Sequence, residues 1–451
     1  MHVGVRITES VMAGVYVRSD GRRGMQQIRV ADDAVPSAFD RLLSRLISEA
    51  RKDAAAEADA APGADGAAAG GGSEQISTLT VDVSALLTPK PEPVTVVRIA
   101  PRPPVDRAHE LRDGEAALSR ARILHVAGGH TTLGEELVPF DAEGLRRIVA
   151  DVAPGGRYAV TSVGSLIDSS HEIEAGKILL EHAAPASVGY SHHFDSGSFG
   201  TRERTAVINS SLIPEAESLV TSLVLVASTR LPHARLYVTT NDGGCVPLAR
   251  LSVTPVHSMA AARASELIGA AVVCGIDAGR LAVAGPDGAY LGEMIDGVAA
   301  VRAKLAGPEG AIATKAAHLV PLPAAASDRP RSHPVVAEPG HTAEIPDAHP
   351  AVVDLCALGA ASSALTEWTH RVVIISNAED IRQALVAAEA RVRTRLVALG
   401  ASPSHVRVID SRVVATTYQE PRVVAVRVRA VASGAGADGG WRGGESHAPH
   451  G

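Results

Sequence analysis

Tyr158-Ala159-Val160-Thr161-Ser162-Val163 is followed six residues on by Ser169-Ser170-His171-Glu172-Ile173-Glu174-Ala175-Gly176-Lys177-Ile178-Leu179-Leu180-Glu181-His182. The first run is short, apolar and rich in β-branched residues, so it reads as a strand; the second reads as a helix. A strand that feeds directly into a helix is the repeating unit of an α/β fold. Working back towards the N-terminus, residues 141–154 read as a helix stopped by Pro154-Gly155-Gly156, and Val94–Ile99 as a buried strand. Further back, His2–Ile7 and Ala13–Val17 read as two strands joined by a short turn, with Ser19-Asp20-Gly21 closing the second. Residues 38–51 repeat apolar side chains at helical spacing, whereas Asp53–Glu74 is almost wholly Ala, Gly, Asp and Glu and reads as a disordered insert. Working forward, Ser222–Ala227 and Leu236–Thr240 continue the α/β alternation, and 255–273 contain an Ala-rich helix. Residues 321–350 read as loop or linker and 378–399 as a helix. Val406–Asp410 and Val423–Val431 read as closing strands before a Gly-rich tail. No repeat of solenoid length is present.

At 451 residues the chain has room for two or three domains of roughly 150 residues each. Hydrophobic residues make up 46% and aromatics only 3%, so the core must be built from Ala, Val, Leu and Ile. The net charge of -7 opposes a nucleic-acid or anionic-membrane partner, both of which want a basic face. Cys245, Cys274 and Cys356 are far apart, which implies neither a disulfide framework nor a zinc ribbon. Met1 runs straight into a strand carrying Arg6, and no apolar run approaches the ~18 residues of a membrane span. The expected compartment is therefore the reducing cytoplasm.

Several segments together resemble the A subunit of the hydantoinase/oxoprolinase family. They are Arg98-Ile99-Ala100, Val126-Ala127-Gly128-Gly129-His130, Phe140–Ile148, Ala159–Val163 and Ser170–Ala175. Ser191-His192, Arg202–Leu212, Thr239–Gly244, Pro255-Val256, Gly269–Ala271, Arg393–Asp410 and Val426–Ala430 follow in the family's order. The resemblance covers most of residues 1–430. It implies two actin-like, ribonuclease-H-like lobes, as in the sugar kinase, heat-shock protein and actin superfamily, plus a C-terminal α+β segment. The implied division is an N-terminal lobe over 1–165 (53–74 the insert), a central lobe over 166–350, a helix-strand domain over 351–431 and a disordered tail over 432–451. Active relatives hydrolyse cyclic amides of the hydantoin or 5-oxoproline type, typically driven by ATP. They phosphorylate a carbonyl oxygen first and work with a B-type subunit.

The family pattern also implies ATP and Mg²⁺, and here this sequence departs from it. Phosphoryl transfer rests on electrostatic positioning, with Gly-rich turns that aim backbone N–H groups at phosphate oxygens. The first such turn reads Arg6-Ile7-Thr8-Glu9-Ser10-Val11-Met12-Ala13, without the family's aspartates and glycines. The second reads Gly285-Pro286-Asp287-Gly288, where proline removes a donor. The start of the helix preceding it reads Ser258-Met259-Ala260 in place of Ser-Gly-Pro. The expectation is weak or lost ATP turnover. Three functions stay open: a cyclic-amide hydrolase, a non-catalytic subunit that binds a B-type partner or a metabolite, and an acyl- or carboxyl-transfer component.

The candidate catalytic residues are His130, His192 and Glu203. His130 follows two glycines at a strand end, a place for a catalytic group or for a hydrogen-bonded structural histidine. His192 and His193 face opposite ways if the segment is extended, so they do not readily share a metal, and no metal site is assigned. Arg202 and Glu203 could grip a substrate or form a charged turn. Asn209 could serve a site or a buried network. In Asn241-Asp242-Gly243-Gly244 the glycines permit positive φ and close ligand approach, although the same residues are ordinary turn chemistry. Glu172 reads as a helix-dipole cap. There is no Gly-x-Ser-x-Gly elbow, metalloprotease motif or dinucleotide fingerprint.

Overall fold

The computed structural model describes residues 1–30, 34–60, 75–89, 93–102, 121–150, 152–285, 288–307, 309–322, 333–337, 353–415 and 422–432. The chain opens with β1 (His2–Ile7), β2 (Val11–Val17), β3 (Arg23–Arg29), α1 (Val35–Ala60) and β4 (Thr78–Asp82). Next come β5 (Val94–Ile99), β6 (Arg122–Val126), α2 (Ala142–Ala150), β7 (Arg157–Ser162), α3 (Ser170–His182) and β8 (Ser187–Tyr190). The middle of the chain holds α4 (Phe199–Arg230), β9 (Arg235–Thr239), β10 (Cys245–Pro247), α5 (Ala261–Cys274), β11 (Gly279–Gly285) and β12 (Gly288–Ile295). Short strands follow: β13 (Val298–Ala299), β14 (Val301–Arg302), β15 (Leu305–Gly307), β16 (Gly310–Ile312), β17 (Ala316–Ala317), β18 (Leu319–Pro321) and β19 (His333–Ala337). The described chain ends with α6 (Leu355–Ser362), β20 (Leu365–Ile374), α7 (Ala378–Ala398), β21 (Val406–Ala415) and β22 (Val423–Ala432).

This is a mixed α/β protein. A nine-stranded sheet runs β21-β22-β20-β10-β9-β4-β1-β2-β3, and a four-stranded sheet runs β6-β5-β7-β8. The nine-stranded sheet draws on all three expected segments: β1–β4 from the first, β9 and β10 from the second, β20–β22 from the third. β1 pairs antiparallel with β2 and parallel with β4, and β4 parallel with β9. Val3, Val5, Ile7, Leu79 and Val81 lie on one face and pack with Phe39, Leu42 and Leu43 of α1. The opposite face carries His2, Gly4 and Arg6 of β1 and Thr78, Thr80 and Asp82 of β4, as strand alternation requires. α6 crosses that face at Gly4, where a Cβ would stand 2.0 Å from the carbonyl oxygen of Ala357. α6 and α5 meet through Gly359, whose Cβ would stand 1.8 Å from the Ser265 carbonyl.

The four-stranded sheet is wholly parallel. α2 and α3 cover one face with Leu145, Val149, Ile178 and Leu179, and the N-terminal half of α4 covers the other. Pro214 lies inside α4. It cannot donate to the Ser210 carbonyl, and that oxygen instead accepts from the Ser187 hydroxyl at 2.8 Å.

The sequence expectations hold for most elements, with two corrections. Asp53–Ala60 continues α1 instead of opening an insert, because Ala and Glu are strong helix formers; residues 61–74 lie outside the described residues. Ser222–Ala227 is the interior of the 32-residue α4, which by length and composition alone would cross a membrane although its first half is buried in protein. Ala432 closes β22, and residues 433–451 lie outside the described residues, as does most of 321–350 apart from β19.

Candidate functional site

In the strand order β6-β5-β7-β8 the connection after β5 leads to one side and that after β7 to the other. The carboxyl ends of β5 and β7 therefore flank a topological switch point, where open parallel sheets place ligands. Polar residues gather there. Arg98, on β5, donates to both Glu203 oxygens, from Nε at 2.9 Å and from Nη2 at 2.7 Å. The Thr161 hydroxyl of β7 donates to the same carboxylate at 3.1 Å. Both members of this ion pair are buried.

One strand position further, the first turn of α3 sends Glu172 back under the sheet end. Its carboxylate is fully buried and accepts four hydrogen bonds: Ser162 N–H at 2.8 Å, Ser191 Oγ at 2.5 Å, His192 N–H at 3.0 Å and His192 Nδ1 at 2.6 Å. Burial alone would raise the Glu172 carboxyl, but His192, by hydrogen bond and charge, together with Ser191 holds it below the ordinary range. With Nδ1 bonded to Glu172, the half-buried His192 ring keeps its Nε2 without a hydrogen-bond partner among the described residues.

His130 sits on the neighbouring loop. Gly128 and Gly129 adopt φ of +151° and +106°, and a Cβ on Gly128 would lie 2.7 Å from Ile99 Cγ2, so glycine is required. The imidazole of His171 accepts from Gly129 N–H through Nδ1 at 2.9 Å, which leaves Nε2–H to donate to Glu136 at 3.1 Å. The His130 ring centroid lies 4.2 Å from that of His171. Its Nε2 is 3.8 Å from Asp168, and its buried Nδ1 has no partner among the described residues. Arg202 is buried beside this cluster and donates to the Ser196 carbonyl at 2.8 Å and the Ser162 carbonyl at 3.4 Å.

The remaining candidates lie away from the switch point. The Asn209 amide donates to the Val253 carbonyl at 2.9 Å and accepts from Val256 N–H at 3.4 Å. Asn241 donates to the Val256 carbonyl at 2.9 Å and accepts from Ala260 N–H at 2.8 Å, so it fills the start of α5. Asp242 accepts from Thr240 Oγ1 at 2.5 Å, Trp368 Nε1 at 2.8 Å and Arg429 Nη2 at 3.3 Å. Burial would raise Asp242, and Arg429, Thr240 and Trp368 hold it low instead. Gly243 has φ +83°, and Gly244 leaves room for Thr366, 2.2 Å from where a Cβ would be.

At the β1–β2 hairpin, Thr8 N–H donates to the Val11 carbonyl at 3.0 Å and Val11 N–H to Thr8 Oγ1 at 3.0 Å. None of Thr8, Glu9 and Ser10 has positive φ. Arg6 reaches across to Asp354 at 2.6 and 2.9 Å, and Asp354 caps α6 through Ala357 N–H at 2.9 Å. Asp82 accepts from Ser84, Thr239 and Ser265. β11 and β12 pair as far as Gly285 and Gly288; Pro286 and Asp287 between them lie outside the described residues.

Sequence reasoning named His130, His192, Arg202 and Glu203 as site candidates, whereas Arg98, Thr161 and Ser162 entered only within matched segments, and it read Glu172 as a cap. The available signal was a carboxylate in the first turn of a helix that follows a strand and a glycine turn.

The chain is similar in structure to nucleotide-free acetone carboxylase, described in the context of ATP-dependent acetone carboxylation. The TM-score is 0.62 at 10% identity, over 95% of this chain and 87% of that one. It is also similar to the ATP-dependent caprolactamase from Pseudomonas jessenii, with a TM-score of 0.58 at 12% identity, over 96% of this chain and 87% of the other. At such identities the shared property is the α/β fold. No family model and no curated protein matches the sequence.

Proposed function

We propose that the chain is a hydantoinase/oxoprolinase-type protein directed at a cyclic amide or a similar small carbonyl compound, with its ATP-dependent step weak or lost. The motif order along the sequence supports this reading, as does a fold shared with an ATP-dependent caprolactamase. Paired actin-like lobes belong to the same proposal. The strand order β3-β2-β1-β4-β9, with β2 antiparallel to its neighbours, supports the first of them.

The observation that carries the loss of ATP turnover is the β1–β2 turn. A phosphate cradle needs successive N–H groups free to point at oxygen, and an anion needs local positive potential. Here two amides of the turn are spent inside it, Glu9 adds negative charge, and Arg6 is neutralised by Asp354. At the start of α5 one amide is taken by Asn241, and Asp82 is saturated by hydroxyls and an amide. These residues do not fit a magnesium nucleotide, so no step is routed through one.

The chemistry is assigned instead to the switch point. His192, oriented by Glu172, can accept a proton from water as that water attacks a ring carbonyl, and can return it to the departing nitrogen. The test is a calorimetric titration with ATP and Mg²⁺, paired with ring-opening assays on hydantoin, 5-oxoproline and caprolactam. The expected result is no micromolar nucleotide affinity. Micromolar binding, or ring opening that requires ATP, would overturn the reading. No ring opening under any condition would leave only the binding role, with co-purification of a B-type partner as its check.

A further inference from the structure

α3 carries Gly176 in its interior, where glycine is among the weakest helix formers. Its neighbour explains the choice. A Cβ on Gly176 would stand 2.0 Å from the Tyr190 hydroxyl and 2.6 Å from Cε1 and Cζ of the same ring. The missing side chain is a seat for Tyr190, the last residue of β8, which lies half-buried. Pairing with Val160 of β7 holds its backbone in place.

The seat lies one helical turn beyond Glu172, so a single face of α3 presents both residues. Glu172 holds His192 Nδ1 at 2.6 Å. Tyr190 meets the same imidazole with ring centroids 5.4 Å apart and planes tilted by 44°. The exposed ring of His193 approaches edge-on, at 4.6 Å and 72°. One hydrogen bond anchors a single atom of the imidazole and leaves its tilt open. A ring packed against its flank removes that freedom, because aromatic pairs favour defined geometries. Of the two flanking rings, Tyr190 is the one wedged against a helix.

We propose that Tyr190 is a positioning residue for His192, and that Gly176 serves the switch point by making room for it. The tyrosine ring backs the imidazole and sets the direction in which Nε2 points. This rests on the reading of His192 as the proton acceptor, but it carries a signature that needs no turnover.

That signature is the low-field proton resonance of the His192–Glu172 hydrogen bond, recorded on the full chain and identified by its loss in Glu172→Gln. Tyr190→Phe is expected to keep it. Tyr190→Ala and Gly176→Ala are both expected to shift and broaden it, the second because the added methyl displaces the tyrosine ring. In a Tyr190→Ala background Gly176→Ala is expected to do nothing more, since the ring it would move is gone. Ring-opening kinetics supply the second readout: each alanine variant should lower kcat about tenfold with KM within about twofold, and Tyr190→Phe should match wild type. No ring opening in wild type, with the resonance displaced as expected, would sink the reaction and keep the positioning role. A wild-type protein without the resonance, an unchanged resonance in both alanine variants, equal loss in Tyr190→Phe, or a further loss in the double variant would each overturn the proposal.

Discussion

The two sheets end differently. At the β1–β4 end of the large sheet, polar groups answer one another: Arg6 has Asp354, Asp82 has Ser84, Thr239 and Ser265, and two turn amides are used locally. At the β5–β7 end of the small sheet the pairing is incomplete. Glu172 is saturated, but its partner His192 has one ring nitrogen to spare, and His130 Nδ1 and Arg202 Nε are buried without partners among the described residues. Buried polar groups are stable only when satisfied. A saturated cluster therefore acts as a fastener, whereas a cluster with leftover groups holds capacity for a ligand. The region that the family pattern marks for phosphate is the fastener.

The hardest test of that contrast is Glu203→Ala. Arg98 would be left buried and uncompensated, which costs about 3–5 kcal/mol. Urea denaturation should show a lower midpoint with an unchanged slope. Arg98→Met combined with Glu203→Leu should recover much of the loss, because apolar replacement removes both charges together. A loss below ~1 kcal/mol in the single variant would mean that water reaches the pair, and the switch point would then be wetter than its burial implies.

A smaller effect is expected from Glu172. Its carboxyl is held below the ordinary value of 4.5, so the stability it contributes is present above that value and is lost as pH falls through the lower folded value. His257 and His370 act in a different window. Burial lowers both to about 4 from 6.5, so the unfolded chain takes up their protons first. Stability therefore falls as pH drops from 6.5 to about 4, by at most ~1.4 kcal/mol per pH unit for each proton. Thermal midpoints measured against pH should separate the two: Glu172→Gln flattens only the limb below pH 4.5, and His257→Gln only the limb above about 4. Identical profiles for wild type and Glu172→Gln would remove Glu172 from the network.

How much of this was legible in sequence depends on distance along the chain. The strand–helix unit at 157–182 is local, and its pattern announced it. α4 was not legible as one helix, since Pro214 argues for a break and only the distant Ser187 hydroxyl answers the carbonyl it orphans. Glu172 looked like a cap because helix-first-turn carboxylates usually face solvent; its burial depends on Ser191 and His192, some twenty residues on. Asn209 and Asn241 matched a motif, but their amides hold the segment 253–260 in place, which no local pattern could disclose. Gly243 fared better, because it adopts the positive φ that its turn motif permitted.

The smallest effect expected is that of Glu9→Gly. If the β1–β2 turn fails as a phosphate cradle through one misplaced charge, removing that charge should restore nucleotide affinity. The geometry argues otherwise, since Thr8 and Val11 amides stay committed within the hairpin and Arg6 stays paired with Asp354 whatever stands at position 9. Glu9 is exposed, so the change should leave stability within ~0.5 kcal/mol. ATP affinity by calorimetry should move by less than about twofold, the scale of one screened surface charge. A tenfold gain would place the defect in a single side chain instead of the backbone. The contrast between a closed end and an open one would then reduce to a single acid, which one substitution could erase.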